Sequence, residues 1–140
     1  MRRAFTALAA LNLLVILTQF FLAAAGAFTT VPNDESFDAH RALGYVTFLL
    51  PVLMIVFAPL AGLPRRVTGM SALVAGLVTI QVVIAKVAEG LGDDGGTTTA
   101  GPLLFGLHGV NGLIILAVSG TILRRTAPRS APAAEASRPA

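Results

Sequence analysis

Long uncharged segments alternate with short charged clusters along this chain. A helix needs about 20 apolar residues to cross the hydrocarbon core of a bilayer, so each uncharged segment can hold one crossing and none can hold two. The segments are residues 4–33, 42–64, 67–85 and 95–123. The pattern predicts helices near residues 4–27, 36–61, 68–90 and 102–123, within a four-span domain of residues 1–125. The predicted fold class is therefore an all-α integral membrane protein.

The second and fourth predicted helices share a motif. Its two copies are Phe37-x-x-His40-x-x-x-Gly44 and Phe105-x-x-His108-x-x-x-Gly112, shifted by 68 residues. Upstream, Gln19 in the first helix matches Gln81 in the third. Two hairpins of the same orientation predict a parallel two-helix repeat about an axis along the membrane normal. The expected architecture is an up-down-up-down four-helix bundle in which the second and fourth helices are diagonal neighbours.

The composition agrees with a membrane location. Hydrophobic residues make up 55% of the chain and charged residues 12%, whereas a soluble domain carries about 25% charged residues. The absence of cysteine excludes disulfides, thiolate nucleophiles and iron–sulfur clusters. The net charge of +3 does not indicate nucleic-acid binding, because the charges lie between the apolar segments, as they do in membrane proteins.

The charges also predict an orientation. Arginines and carboxylates flank opposite ends of the predicted helices. The arginines are Arg2, Arg3, Arg65, Arg66, Arg124, Arg125, Arg129 and Arg138, and the carboxylates are Asp34, Glu35, Asp38, Glu89, Asp93 and Asp94. By the positive-inside tendency, both termini are expected to be cytoplasmic, in a bacterial-type inner membrane.

Both terminal segments need an interpretation. Residues 1–27 begin like a secretory signal, but the uncharged stretch runs from Ala4 to Val31, longer than the ~7–15 apolar residues of a signal peptide. We therefore expect this segment to remain as the first span. Residues 126–140 are rich in proline and alanine, which predicts a disordered cytoplasmic tail.

The only two histidines of the chain, His40 and His108, occupy matching places in the repeat. Each is predicted about two turns after a helix start, so that both lie at the same depth on diagonal helices. A single histidine there is typical of an interfacial residue, but an intramembrane ionisable group also indicates function. Two axial nitrogens suit a haem iron better than zinc or calcium, which need more protein ligands. The pair therefore predicts a b-type haem with His40 and His108 as ligands of the iron.

The residues around the histidines fit this interpretation. Gly44 and Gly112 lack a β-carbon one turn away and could leave room for a flat macrocycle. Phe37 and Phe105, one turn in the other direction, could pack on its edge. Two cations near the outer end could pair with propionates or locally, and these are Arg41 and Lys86.

Polar residues elsewhere in the spans have a simpler interpretation. Asn12 and Gln19 form a polar stripe on the first helix, and Gln81 lies on the third. We expect them to join helices by hydrogen bonds. Met54 and Met70 are expected to be packing residues rather than ligands.

The segments His40-Arg41-Ala42-Leu43-Gly44 and Leu107-His108-Gly109-Val110-Asn111-Gly112 resemble the haem-ligating segments of the heme A synthase family. The resemblance covers residues 4–123, which correspond to one four-helix half of that family. It implies that His40 and His108 are axial ligands of haem b. The family has a glutamate three residues before the histidine, where this chain has Phe37.

Several functions remain open at this stage. A single haem near the outer face would exchange electrons with a quinone or an extracytoplasmic redox partner, or would bind and pass on haem, and the chain could act as a homodimer in the bilayer. No motif of a self-contained soluble enzyme is present. The alternatives are an accessory subunit of a membrane complex and a small transporter, although the four uncharged segments lack the carboxylate that proton coupling usually uses.

Overall fold

The computed structural model describes residues 1–30, 32–91 and 99–128, which form helices joined by short connections. The helices are α1 (Arg2–Ala27), α2 (Asn33–Ser36), α3 (Asp38–Leu60), α4 (Arg65–Gly90) and α5 (Ala100–Thr126). At 1.5 Å per residue, even α3, with 23 residues, is about 35 Å long, which exceeds the ~30 Å hydrocarbon core. The four long helices are each apolar enough to cross a membrane. The all-α class is confirmed, and the four candidate spans are those expected of a multi-pass membrane protein.

The predicted second helix is interrupted at Phe37. The backbone of Phe37 (φ −105°, ψ 8°) separates the short α2 from α3. This corner packs against α1 at Gly26, where an added β-carbon would lie 2.7 Å from the carbonyl oxygen of Ser36. His40 consequently lies in the first turn of α3, not two turns after a helix start as the sequence predicted. The tight approach to Gly26 is a tertiary contact, which the helical pattern of residues 36–61 does not contain.

Four other helix ends lie two or three residues outside the predicted bounds, whereas α1 and α4 end where predicted. α1 begins at Arg2, α4 at Arg65 and α5 at Ala100, and α5 continues to Thr126. The sequence prediction used arginines as boundaries, but an arginine side chain extends to water from the last turn of a helix without ending it. Thr126 is therefore helical and not part of a disordered tail. Residues 129–140 of the predicted tail lie outside the described residues.

Each long helix packs against two others. α1 lies between α3 and α5, and α4 contacts the same two helices. Within residues 1–30, 32–91 and 99–128, no close backbone contact joins α1 to α4 or α3 to α5. Because α3 and α5 have no such contact, they lie on opposite sides of the bundle.

α1 and α3 run in opposite directions. Arg2 at the start of α1 bonds to Gly62 just after α3, and Gln19 further along α1 bonds to Thr47 in the first half of α3.

The core is concentrated in the half of the bundle that carries the arginines. Met54, Ala58, Val74 and Ile122 are fully buried there. The other members of this cluster are Phe5, Ala9, Ile16, Val67, Val78 and Ile115. The packing role predicted for Met54 is confirmed. Large apolar side chains also cover the outside of the helices, as expected where lipid replaces water.

Hydrogen bonds between helices use the polar residues that the sequence marked. Asn12 Nδ2 donates to Ser119 Oγ at 3.1 Å, and Gln19 Nε2 donates to Thr47 Oγ1 at 3.1 Å. Gln81 Oε1 accepts from Asn111 Nδ2 at 2.7 Å. The predicted role of Asn12, Gln19 and Gln81 in joining helices is confirmed, because each bond connects two different long helices.

The corner at Gly26 provides a test of this packing. We expect Gly26→Ala to destabilise the protein by about 1–3 kcal/mol, because its new methyl group would meet the Ser36 carbonyl and the Phe37 ring. Gly76→Ala is the matched control, since an added β-carbon there meets nothing within 4 Å. Thermal unfolding in detergent measures both variants. Equal unfolding temperatures for the two would contradict the packing at this corner.

Candidate functional site

The two histidines face each other across the bundle. His40 in α3 and His108 in α5 have ring centroids 6.3 Å apart, with 52° between the ring planes. Their helices are not in direct backbone contact, so these side chains span the interior between opposite helices. The structure therefore brings together the two residues on which the sequence interpretation depended.

Each histidine is oriented by a backbone carbonyl of the neighbouring helix. His40 Nδ1 lies 3.2 Å from the carbonyl oxygen of Gln19, and His108 Nδ1 lies 3.2 Å from that of Gln81. A carbonyl oxygen can only accept, so Nδ1 of each ring carries the proton and donates it. Nε2 of each neutral imidazole is then left with a free lone pair. The two halves of the bundle thus present the same nitrogen atom in the same way.

This arrangement suits a metal ion between the rings. Metal-binding histidines usually donate their second ring N–H to a carbonyl or carboxylate, which fixes the tautomer. With metal–nitrogen distances of about 2.0 Å and ring nitrogens about 1.1 Å from the centroid, opposite ligands of one ion have centroids about 6.2 Å apart. The observed 6.3 Å agrees with this value. Coordination to a metal does not by itself fix the angle between the two ring planes, so the 52° angle is compatible too.

A cavity of about 140 Å³ lies between the histidines and the core. Its walls include both histidines, Gln19, Gln81 and Phe20, and its floor is formed by core residues Ile16 and Ile115. Small-molecule sites usually measure about 300–1,000 Å³, so this cavity is too small for a whole macrocycle in this conformation. The ring of Phe20 reaches to 3.1 Å from the position of an added β-carbon on Gly112. Displacement of that ring would enlarge the cavity.

The two motif glycines accommodate glutamine side chains. An added β-carbon on Gly44 would lie 3.7 Å from Gln19 Nε2, and one on Gly112 would lie 3.6 Å from Gln81 Nε2. Gly112 also borders the cavity. The space that the sequence interpretation reserved for a macrocycle is therefore partly occupied by amides of the neighbouring helices.

The motif phenylalanines pack on the histidines. The centroids of Phe37 and His40 are 6.3 Å apart with an edge-on geometry, and those of Phe105 and His108 are 6.2 Å apart. Each phenylalanine thus supports one imidazole from its outer side. Phe105 is also half exposed, with 49% of its surface accessible.

Arg41 and Lys86 do not border the cavity. Arg41 pairs with Asp38 at 2.7 Å and Lys86 pairs with Glu89 at 2.7 Å, each with a partner three residues away on the same helix. These pairs are exposed to solvent, where such interactions contribute little. The structure thus has the local pairing that the sequence left open as the alternative to a propionate role.

Sequence reasoning missed three contributors to the site. Asn111 donates to the Leu77 carbonyl at 2.9 Å as well as to Gln81. Thr47 Oγ1 accepts a hydrogen bond from the Gln19 amide, and Phe20 lines the cavity beside Gly112. Asn111 stands inside the quoted motif, and its polarity within a span was the available signal. Nothing in the sequence distinguishes Thr47 or Phe20 as a site residue, because threonine and phenylalanine are common in membrane helices.

Residues 19–88 match a family model described as a family of unknown function (DUF6220). The match spans half of the chain and includes Gln19, His40, Gly44 and Gln81. No significant match was found among curated proteins or among solved structures.

The histidine tautomers can be measured directly. We expect Nδ1 of both rings to carry a proton in the protein without bound metal, because each Nδ1 faces a carbonyl oxygen. Nitrogen-15 NMR of protein labelled only at histidine reports which nitrogens of each ring are protonated. His40→Ala assigns the two sets of signals. A ring without a proton on Nδ1 would contradict the orientation described here.

Proposed function

We propose that this chain, which belongs to the DUF6220 family of unknown function, is an integral membrane b-type haem-binding protein. His40 and His108 would be the axial ligands of the iron. The observation that carries the proposal is the facing pair of imidazoles, whose centroids are 6.3 Å apart. Each imidazole is held through Nδ1 by the backbone carbonyl of a glutamine in the neighbouring helix. A six-coordinate haem iron can take two histidine nitrogens from the protein, because the porphyrin supplies its other four ligands.

The same proposal includes the architecture around the site. We propose an up-down-up-down bundle made of two parallel two-helix repeats, with both termini in the cytoplasm of a cell with a bacterial-type inner membrane. The matching contacts of His40 with Gln19 and of His108 with Gln81 support the repeat. The arginines at the ends of α1, α4 and α5 support the orientation by the positive-inside tendency.

The residues around the site would have different roles in holding haem. Haem, when bound, supplies one-electron redox chemistry. The imidazoles would hold the iron, the carbonyls of Gln19 and Gln81 would fix the rings, and the apolar walls would keep water away. The donor set fits haem in kind and spacing, whereas the cavity fits it only after Phe20 moves aside.

The biological role follows from the position of the site near one end of the bundle. A haem there would exchange electrons with a quinone or an extracytoplasmic redox partner, or would be handed on to another protein. Two such chains could associate as a homodimer. An accessory subunit remains the alternative if no haem binds, and a transporter is disfavoured because the four uncharged segments contain no carboxylate.

Absorption spectroscopy of the purified protein tests the proposal. Protein expressed with excess haem should show a Soret band and sharp α and β bands on reduction. His40→Ala and His108→Ala should each lose most of the bound haem, because one axial ligand is removed. Arg41→Gln and Lys86→Gln are controls that should keep it, since both side chains form local pairs. A colourless protein, or full haem content in both histidine variants, would overturn the proposal.

The role of Phe20 gives a separate prediction. We expect Phe20→Ala to take up haem several times faster than the unaltered protein, because its ring narrows the cavity next to Gly112. Phe21→Ala is the matched control, since Phe21 points outward with 70% of its surface exposed. Stopped-flow absorbance at the Soret band measures the rate. Equal rates for both variants would show that Phe20 does not limit access.

A further inference from the structure

A second cavity lies at the opposite end of the bundle from the histidines. It measures about 260 Å³ and is formed between the start of α1 and the end of α3. Its lining is apolar throughout and consists of Met1, Ala4, Phe5, Leu8, Phe57 and Ala61. His40 is in the first turn of α3, whereas this groove lies at the last turn of the same helix. The groove is therefore independent of the proposed haem site.

Cations surround this end of the bundle. Arg2 at the start of α1 donates from Nη2 to the carbonyl of Gly62, in the turn after α3, at 3.1 Å. Arg65 and Arg66 follow that turn at the start of α4 and are exposed. The described carboxylates Glu35, Asp38 and Glu89 are all at the other end. Within the described ranges, the end of the bundle that holds this groove thus carries arginines and no carboxylate.

We propose that the groove holds one acyl chain of an anionic phospholipid, whose phosphate is bound by Arg2, Arg65 and Arg66. An apolar groove of about 260 Å³ beside the first two turns of α1 matches the polarity of a hydrocarbon chain. Guanidinium groups bind phosphate oxygens through paired hydrogen bonds. Basic pockets at the ends of membrane helices select anionic headgroups, whereas the cationic group of a zwitterionic lipid is repelled by arginines.

Native mass spectrometry of the full chain in detergent tests this site. Phosphatidylglycerol is the anionic probe and phosphatidylcholine is the zwitterionic control. We expect one phosphatidylglycerol to remain bound per chain at lipid concentrations at which phosphatidylcholine is lost. Replacing Arg2, Arg65 and Arg66 together by glutamine should weaken retention by more than about tenfold, since each basic residue contributes about a fivefold gain in affinity for an anionic lipid.

Three further variants separate charge from the groove itself. Lys86→Gln removes a cation at the opposite end of the bundle, where it pairs with Glu89, and should leave retention nearly unchanged. Ala4→Trp fills the groove while all arginines stay, and it should abolish retention. Replacing the three arginines by lysine preserves the charge and should restore most of the binding, which guards against a glutamine variant that does not fold.

Three results would overturn the proposal. One is equal retention of the two lipids. Another is retention that survives Ala4→Trp. The third is a dimer that disappears in Ala4→Trp without any preference for the anionic lipid, because it would show that a second chain occupies the groove. Loss of haem from His40→Ala does not affect these outcomes, so the lipid proposal and the haem proposal are tested independently.

Discussion

Inside a membrane, a polar group that finds no partner in the protein has no water to bind instead, and this constraint organises the interior of the bundle. The amide side chains within the spans accordingly bond to neighbouring helices, whereas Ser71 and Thr79 donate to carbonyls of their own helix. Two buried amide oxygens, Asn12 Oδ1 and Gln19 Oε1, have no hydrogen-bond partner among the described residues. Asn12 reaches Ser119, Gln19 reaches Thr47, and Asn111 reaches Gln81. The histidines obey the same rule, since each Nδ1 donates to a carbonyl of the adjacent helix. That bond determines which nitrogen remains available, and so it links the packing of helices to the chemistry of the site.

The bundle is packed unevenly along its length. The half with the arginines contains large, fully buried side chains such as Phe5, Met54 and Ile122. The half with the histidines contains glycines, amides and a cavity bordered by Phe20. Both halves enclose a cavity, of about 140 Å³ beside the histidines and about 260 Å³ at the arginine end. What distinguishes the candidate site is that it lies among glycines and amides rather than among the large buried side chains of the core.

The repeat motif and the structure agree on the histidines and differ on their neighbours. Equivalent residues, His40 and His108, make equivalent contacts with Gln19 and Gln81. Other contacts are not equivalent, since Gln19 bonds to Thr47 in α3 whereas Gln81 bonds to Asn111 three residues after His108. The two motif copies thus share the contact of the histidine with a carbonyl, whereas the surrounding hydrogen bonds differ between them.

The sequence alone determined the four long helices, because runs of about 20 apolar residues between charges have few other solutions in a membrane. It also identified the residues on which a ligand site could depend, since two histidines within apolar segments are rare. It could not show that the start of α3 is interrupted at Phe37 or that Gln19 and Gln81 fill the space beside Gly44 and Gly112. Nor could it show the pairing of Arg41 with Asp38 instead of a ligand. Those features depend on distances between helices that are remote in sequence, and only the packed tertiary structure sets such distances.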